Sequence, residues 1–110
     1  MEYIKVLEVS QLPAGEMTMV KVRGKEILLA NLDGSYHAVA NKCSHLGGSL
    51  AKGSLDGKVV TCPRHGAQFD LTNGGAVGDA QIMILKMGVK DLESYPVKVE
   101  GAEILVGDSE

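Results

Sequence analysis

Cys43-Ser44-His45-Leu46-Gly47-Gly48 and Cys62-Pro63-Arg64-His65-Gly66-Ala67-Gln68-Phe69-Asp70 are the two stretches that decide how this chain is read. Each joins one thiol to one imidazole, and sixteen residues separate His45 from Cys62. The pairs use both cysteines of the chain and two of its three histidines. Ligand-type residues this scarce, placed twice in matching surroundings, point to a metal centre. Gly47, Gly48 and Gly66 would let the backbone wrap closely around it, although alone they read equally well as turn glycines. Pro63 stiffens a tight loop with or without a metal.

Three linkages could use these side chains. A Cys43–Cys62 disulfide would leave the matching histidines unexplained, and the N-terminus carries no sign of export to an oxidising compartment. Zinc accepts two Cys and two His tetrahedrally, but common zinc modules pair Cys with Cys and His with His. One of each on both loops suits a dinuclear iron–sulfur cluster lying between them. Thiolate and neutral imidazole both ligate iron, and two imidazoles in place of two thiolates remove two negative charges around the cluster. An incoming electron is then less repelled, which raises the potential above that of an all-Cys cluster.

The rest of the chain sets the scaffold. At 110 residues it makes one domain, and with no Trp and one Phe its core must be built from Val, Leu, Ile and Met. A formal charge of −3 gives no support to nucleic-acid binding. No apolar run approaches the roughly 20 residues that cross a bilayer. Met1 to Val6 lacks a signal-peptide stretch, so a soluble cytoplasmic protein of full natural length is expected. Apolar alternation predicts strands over 3–9, 16–22, 26–32, 35–40, 58–61, 67–71, 96–100 and 103–106. Turns are expected at Arg23-Gly24-Lys25, Asp33-Gly34, Asn73-Gly74-Gly75 and Gly101-Ala102. Many short strands with regular turn signals make an all-β sandwich or barrel.

The paired motifs, with the trailing Gln68-Phe69-Asp70, resemble those of the Rieske iron–sulfur family, and the resemblance covers almost the whole chain. It implies an antiparallel sandwich or barrel base, residues 1–40 and 93–110, carrying an inserted cluster-binding part at about 41–80. It also implies one 2Fe–2S cluster, with Cys43 and Cys62 on one iron and His45 and His65 on the other. Members in respiratory and photosynthetic complexes add a Cys to each loop, where this chain has Gly48 and Arg64. They also place a Ser and a Tyr that donate hydrogen bonds to sulfur, where Ala67 and Phe69 stand here and cannot donate. Such bonds stabilise the reduced cluster, so a low potential is expected.

What remains is similar to the ferredoxin components of bacterial ring-hydroxylating oxygenases. The implied role is one-electron transfer from a flavin-dependent reductase to a terminal oxygenase, with no catalytic residues in this chain. The alternative is a small Rieske subunit of a larger redox enzyme, such as an assimilatory nitrite reductase. His37, on a strand before the first loop, is expected to be a strand-surface or half-buried histidine rather than a ligand.

Three surface readings complete the analysis. Most members carry a Gly-Pro-Pro run after the second loop, where this chain has Gly78-Asp79-Ala80. Gln81 to Gly88 then reads as an extra strand or, through Ile82 to Met87, an apolar docking patch. Lys42, Lys52 and Arg64 would form a basic rim at the cluster, and the histidine edge beside it is the expected electron path. Glu100, Glu103, Asp108 and Glu110 are expected to form a solvated acidic face.

Overall fold

Four two-residue turns fold most of the chain into hairpins. Arg23-Gly24 and Asp33-Gly34 both place two consecutive residues at positive φ (52° and 82°, 57° and 98°). That is the geometry whose twist matches antiparallel strands. Gly57 and Gly101, each at φ 62°, open the turns Gly57-Lys58 and Gly101-Ala102 from their first central position. In this computed structural model residues 2–42, 49–63, 67–77 and 91–108 are described.

Among the described residues eleven strands form three antiparallel sheets. The first has the order β1 (Glu2–Glu8), β11 (Glu103–Asp108), β10 (Val97–Glu100). The second is β2 (Met17–Val22), β3 (Lys25–Leu32), β4 (Ser35–Ala40) and β9 (Ser94–Tyr95). The third is β5 (Ser54–Asp56), β6 (Val59–Thr61), β7 (Gln68–Asp70) and β8 (Ala76–Val77). Single 3-10 turns occupy Val9–Gln11 and Leu50–Lys52.

β3 explains how the sheets stack. Its run Ile27-Leu28-Leu29-Ala30 does not alternate with polar residues, and all four side chains are fully buried. A strand covered on both faces reads this way. Ile27 and Leu29 join Val22, Ala38, Ile104 and Val106 in a core between the first two sheets. Leu28 and Ala30 point the other way, with Val39, into a second core containing Leu50, Val60, Cys62, Phe69 and Leu71. Phe69, the one Phe of the chain, is fully buried there.

The structure corrects the sequence reading in two respects. β5, β8 and β9 were not expected, being two or three residues long with too few apolar positions to show a period. Asp108 is not part of a solvated face. Its carboxylate is 1% exposed, lying 3.0 Å from the Lys25 ammonium, and Arg23 Nε stands 3.9 Å away. Arg23 also pairs with Glu2, so the β2–β3 turn is tied to both terminal strands. Glu103 and Glu100 are exposed, beside Lys5 and Lys98, whereas Glu110 lies outside the described residues.

Candidate functional site

The second motif sits on the β6–β7 hairpin. Thr61 pairs with Gln68, and one step further the Cys62 N–H donates to the Ala67 carbonyl at 2.7 Å. That bond closes the neck of the connection at the point where Cys62 enters it. Cys62 carries a free thiol and is 3% exposed, packed in the core with Ala67, Phe69 and Leu71. Ala67 and Phe69 are buried, and neither side chain can donate a hydrogen bond.

The first motif leaves the end of β4. Lys42 bridges to Ser49, and the Leu50 N–H donates to the Asn41 carbonyl at 2.8 Å. The Asn41 side chain, fully buried, works at the same place. Its Oδ1 accepts from the Ala51 N–H and its amide donates to Ser49 Oγ, both at 2.9 Å. Leu50, one residue past the neck, enters the same core as Cys62 and Ala67. Gly53 brings the two necks into contact: a Cβ there would lie 1.9 Å from the Thr61 carbonyl oxygen and 3.2 Å from the Pro63 ring. No residue larger than glycine fits without movement.

Cys43, His45, Arg64 and His65 lie outside the described residues, as do Gly78-Asp79-Ala80 and the Gln81–Gly88 stretch. Among the described residues no three His, Cys, Asp or Glu side chains converge to hold a metal. Of the four expected ligands the structure therefore places Cys62. The flanks of Cys43 and His45 are held at 41–42 and 49–51, and those of His65 at Cys62 and Ala67. A buried thiol at a loop neck, not bonded to another sulfur, fits a metal–sulfur ligand. His37 is half-buried on β4 opposite Ala30, as expected of a strand histidine. Lys42 and Lys52 are exposed on either side of the first neck.

A third support lies against this hairpin. Asp70 caps the turn after β7: its carboxylate accepts from the Thr72 N–H at 2.8 Å and the Thr72 hydroxyl at 2.6 Å. Lys58 stands 3.4 Å from the other carboxylate oxygen. The Thr72 hydroxyl, more than the Thr72 amide and Lys58, holds this carboxyl below the usual carboxylate range against the opposing effect of burial. Gly74, at φ +79°, accepts from the Leu92 N–H at 2.6 Å, and the Ala76 N–H donates to Asp91.

The sequence reading missed Asn41 and Gly53. Asparagine next to a ligand loop and glycine just beyond it gave a local signal, but their partners are set by tertiary contact.

Comparison with known proteins gives the family. Residues 2–96 match the model of the Rieske [2Fe-2S] domain. The chain is 34% identical over 95 residues to the ferredoxin component of the naphthalene 1,2-dioxygenase/salicylate 5-hydroxylase systems of Ralstonia sp., covering 86% of this chain and 85% of the relative. It superposes with a TM-score of 0.84 and 30% identity on the ferredoxin of carbazole 1,9a-dioxygenase from Nocardioides aromaticivorans IC177, covering 96% of this chain and 97% of that one. A chain in the complex of reduced oxygenase and oxidized ferredoxin in carbazole 1,9a-dioxygenase matches with a TM-score of 0.82 and 25% identity over 94% of this chain and 91% of that one. No helix among the described residues is long and apolar enough to cross a membrane. The chain belongs to the Rieske [2Fe-2S] domain family and carries one 2Fe–2S cluster.

Proposed function

We propose that Cys43 and Cys62 hold one iron of this cluster and His45 and His65 the other, and that the protein is a one-electron carrier delivering electrons to a terminal oxygenase. The observation that carries this reading is the meeting of two closed loop necks on one core, with the Cys62 thiol buried in that core. Each neck belongs to a loop holding one mixed Cys/His pair, so their contact supports assigning both pairs to one cluster. When bound, the cluster accepts and releases one electron. The chain does the rest: Phe69, Leu50 and Ala67 keep water from the Cys62 side, and the backbone bonds close both loop necks.

The kinship to oxygenase-system ferredoxins supports the acceptor. A flavin-dependent reductase is the proposed donor, and the cytoplasm the proposed location. Residues 1–40 and 93–110 act as base and about 41–80 as the cluster-binding part, since the third sheet falls within 54–77. Electrons pass by the histidine edge, beside a rim to which Lys42 and Lys52 contribute.

Iron and acid-labile sulfide should each be found at about two per chain, with a Rieske-type electron paramagnetic resonance spectrum after dithionite reduction. Stoichiometric zinc without sulfide would overturn the ligand assignment. Because Ala67 and Phe69 cannot donate to sulfur, the midpoint should fall near about −150 mV rather than about +300 mV. Ala67→Ser or Phe69→Tyr should raise it, and a wild-type value above about +100 mV would contradict this account of the missing donors.

A further inference from the structure

Two buried asparagines stand at opposite ends of the β3–β4 hairpin and do the same kind of work in different places. Asn31 sits beside the Asp33-Gly34 turn, where its amide donates to the Leu12 carbonyl at 2.8 Å and its oxygen accepts from the Gly34 N–H at 2.7 Å. Asn41 sits at the other end, just past β4, and closes the neck of the first ligand loop. Its backbone N–H donates to the Glu26 carbonyl at 3.0 Å and its carbonyl accepts from Leu50, while both ends of its side chain are used on Ser49 and Ala51. One residue thus ties β3, the loop entrance and the loop exit together. Neither Asn41 nor Ser49 is a cluster ligand in the proposed set.

We infer that Asn41 is a positioning residue for the cluster: it holds the flanks of the Cys43–His45 segment in the ligating arrangement, and Asn31 has no such role. This rests on the proposed ligand set. Removing the Asn41 side chain leaves the part-buried Ala51 N–H without its acceptor and the Ser49 hydroxyl oxygen without its donor. Losing these two bonds together makes neck opening about tenfold more frequent. A neck that opens more often exposes the cluster to loss without unfolding the base.

The experiment compares wild type, Asn31→Ala, Asn41→Ala and Ser49→Ala as cluster-loaded proteins. Cluster release into an iron chelator is followed by loss of visible absorbance, beside thermal midpoint and the electron paramagnetic resonance spectrum of the reduced form. Both asparagine variants should lower the thermal midpoint. Release should be about tenfold faster or more in Asn41→Ala, a few-fold faster in Ser49→Ala, and unchanged in Asn31→Ala. The g-values should broaden in Asn41→Ala and match wild type in Asn31→Ala. Equal release from Asn31→Ala and Asn41→Ala, or wild-type release and g-values in Asn41→Ala, overturns the inference. If Asn41→Ala does not fold, Ser49→Ala against Asn31→Ala decides on the same readouts. A wild type lacking iron and sulfide overturns the ligand set itself, and this inference with it.

Discussion

The base and the tip of this molecule are held together by different means. In the base, β2, β3 and β4 pair over six consecutive positions each, and β1 pairs along most of β11 with a single irregularity between Lys5 and Leu7. In the tip, β5 to β8 are two or three residues long, and single contacts supplement them: Asn41 across one neck, Cys62–Ala67 across the other, Gly53 on Thr61, Gly74 on Leu92. Long ladders spread a perturbation over many bonds. Point tethers do not, so local opening should be easier at the tip than in the base.

The sharpest way to break this contrast is to cut into β3 from each side. Leu28→Ala and Leu29→Ala remove equal side chains, one from the core under the tip and one from the core under the terminal strands. Each should cost about 2–5 kcal/mol in urea denaturation. Leu28→Ala should also hasten cluster loss at temperatures where the fold persists, whereas Leu29→Ala should not. Equal cluster loss in both would mean that the two cores respond as one.

A smaller effect separates glycines. Gly53→Ala must push a methyl group against the Thr61 carbonyl, for about 1–3 kcal/mol. Gly101→Ala meets nothing within 4 Å and bears only the strain of φ +62°, about 1–2 kcal/mol. Their thermal midpoints should therefore fall by similar amounts, while Gly53→Ala alone shifts the g-values of the reduced cluster. An unchanged spectrum would show that the Gly53–Thr61 contact does not set the spacing of the loops.

The smallest expected effect is acid sensitivity of the tip, about 1 kcal/mol or less given the partial exposure of the Asp70 ion pair. The folded state binds a proton at Asp70 more weakly than the unfolded chain does, so acid favours unfolding. The contribution is complete above about pH 4 and disappears as pH falls through the folded value. Asp70→Asn should be less stable than wild type at about pH 6, with the gap narrowing steadily as pH falls below about 4. A gap that does not narrow with falling pH would assign the effect to packing instead of charge.

Much of the base was legible because its signals are local. Asp33-Gly34 and Gly101-Ala102 mark their hairpins by residue type alone, and Ser35–Ala40 was delimited to the residue. The paired Cys/His motifs were legible for the same reason, since thiol and imidazole are rare and lie two or three positions apart. What escaped depends on residues distant in sequence. Asp108 is buried because Lys25, 83 positions away, arrives beside it. Gly53 looks like any turn glycine until Thr61 is placed against it. β8 and β9 are too short for any period to register.

β3 faces a core on each side, and this limits how the protein could have been assembled or could be taken apart. The tip looks like an insertion between β4 and β9, and an insertion suggests a part that could be exchanged. Yet excising residues 41–77 would leave Leu28, Ala30 and Val39 facing water from the base. The excised piece, in turn, would present Val60, Phe69 and Leu71 with nothing to cover them. A redox centre transplanted from this protein would have to bring β3 with it, and β3 brings both of its neighbours. The unit that could be moved intact is therefore the whole domain.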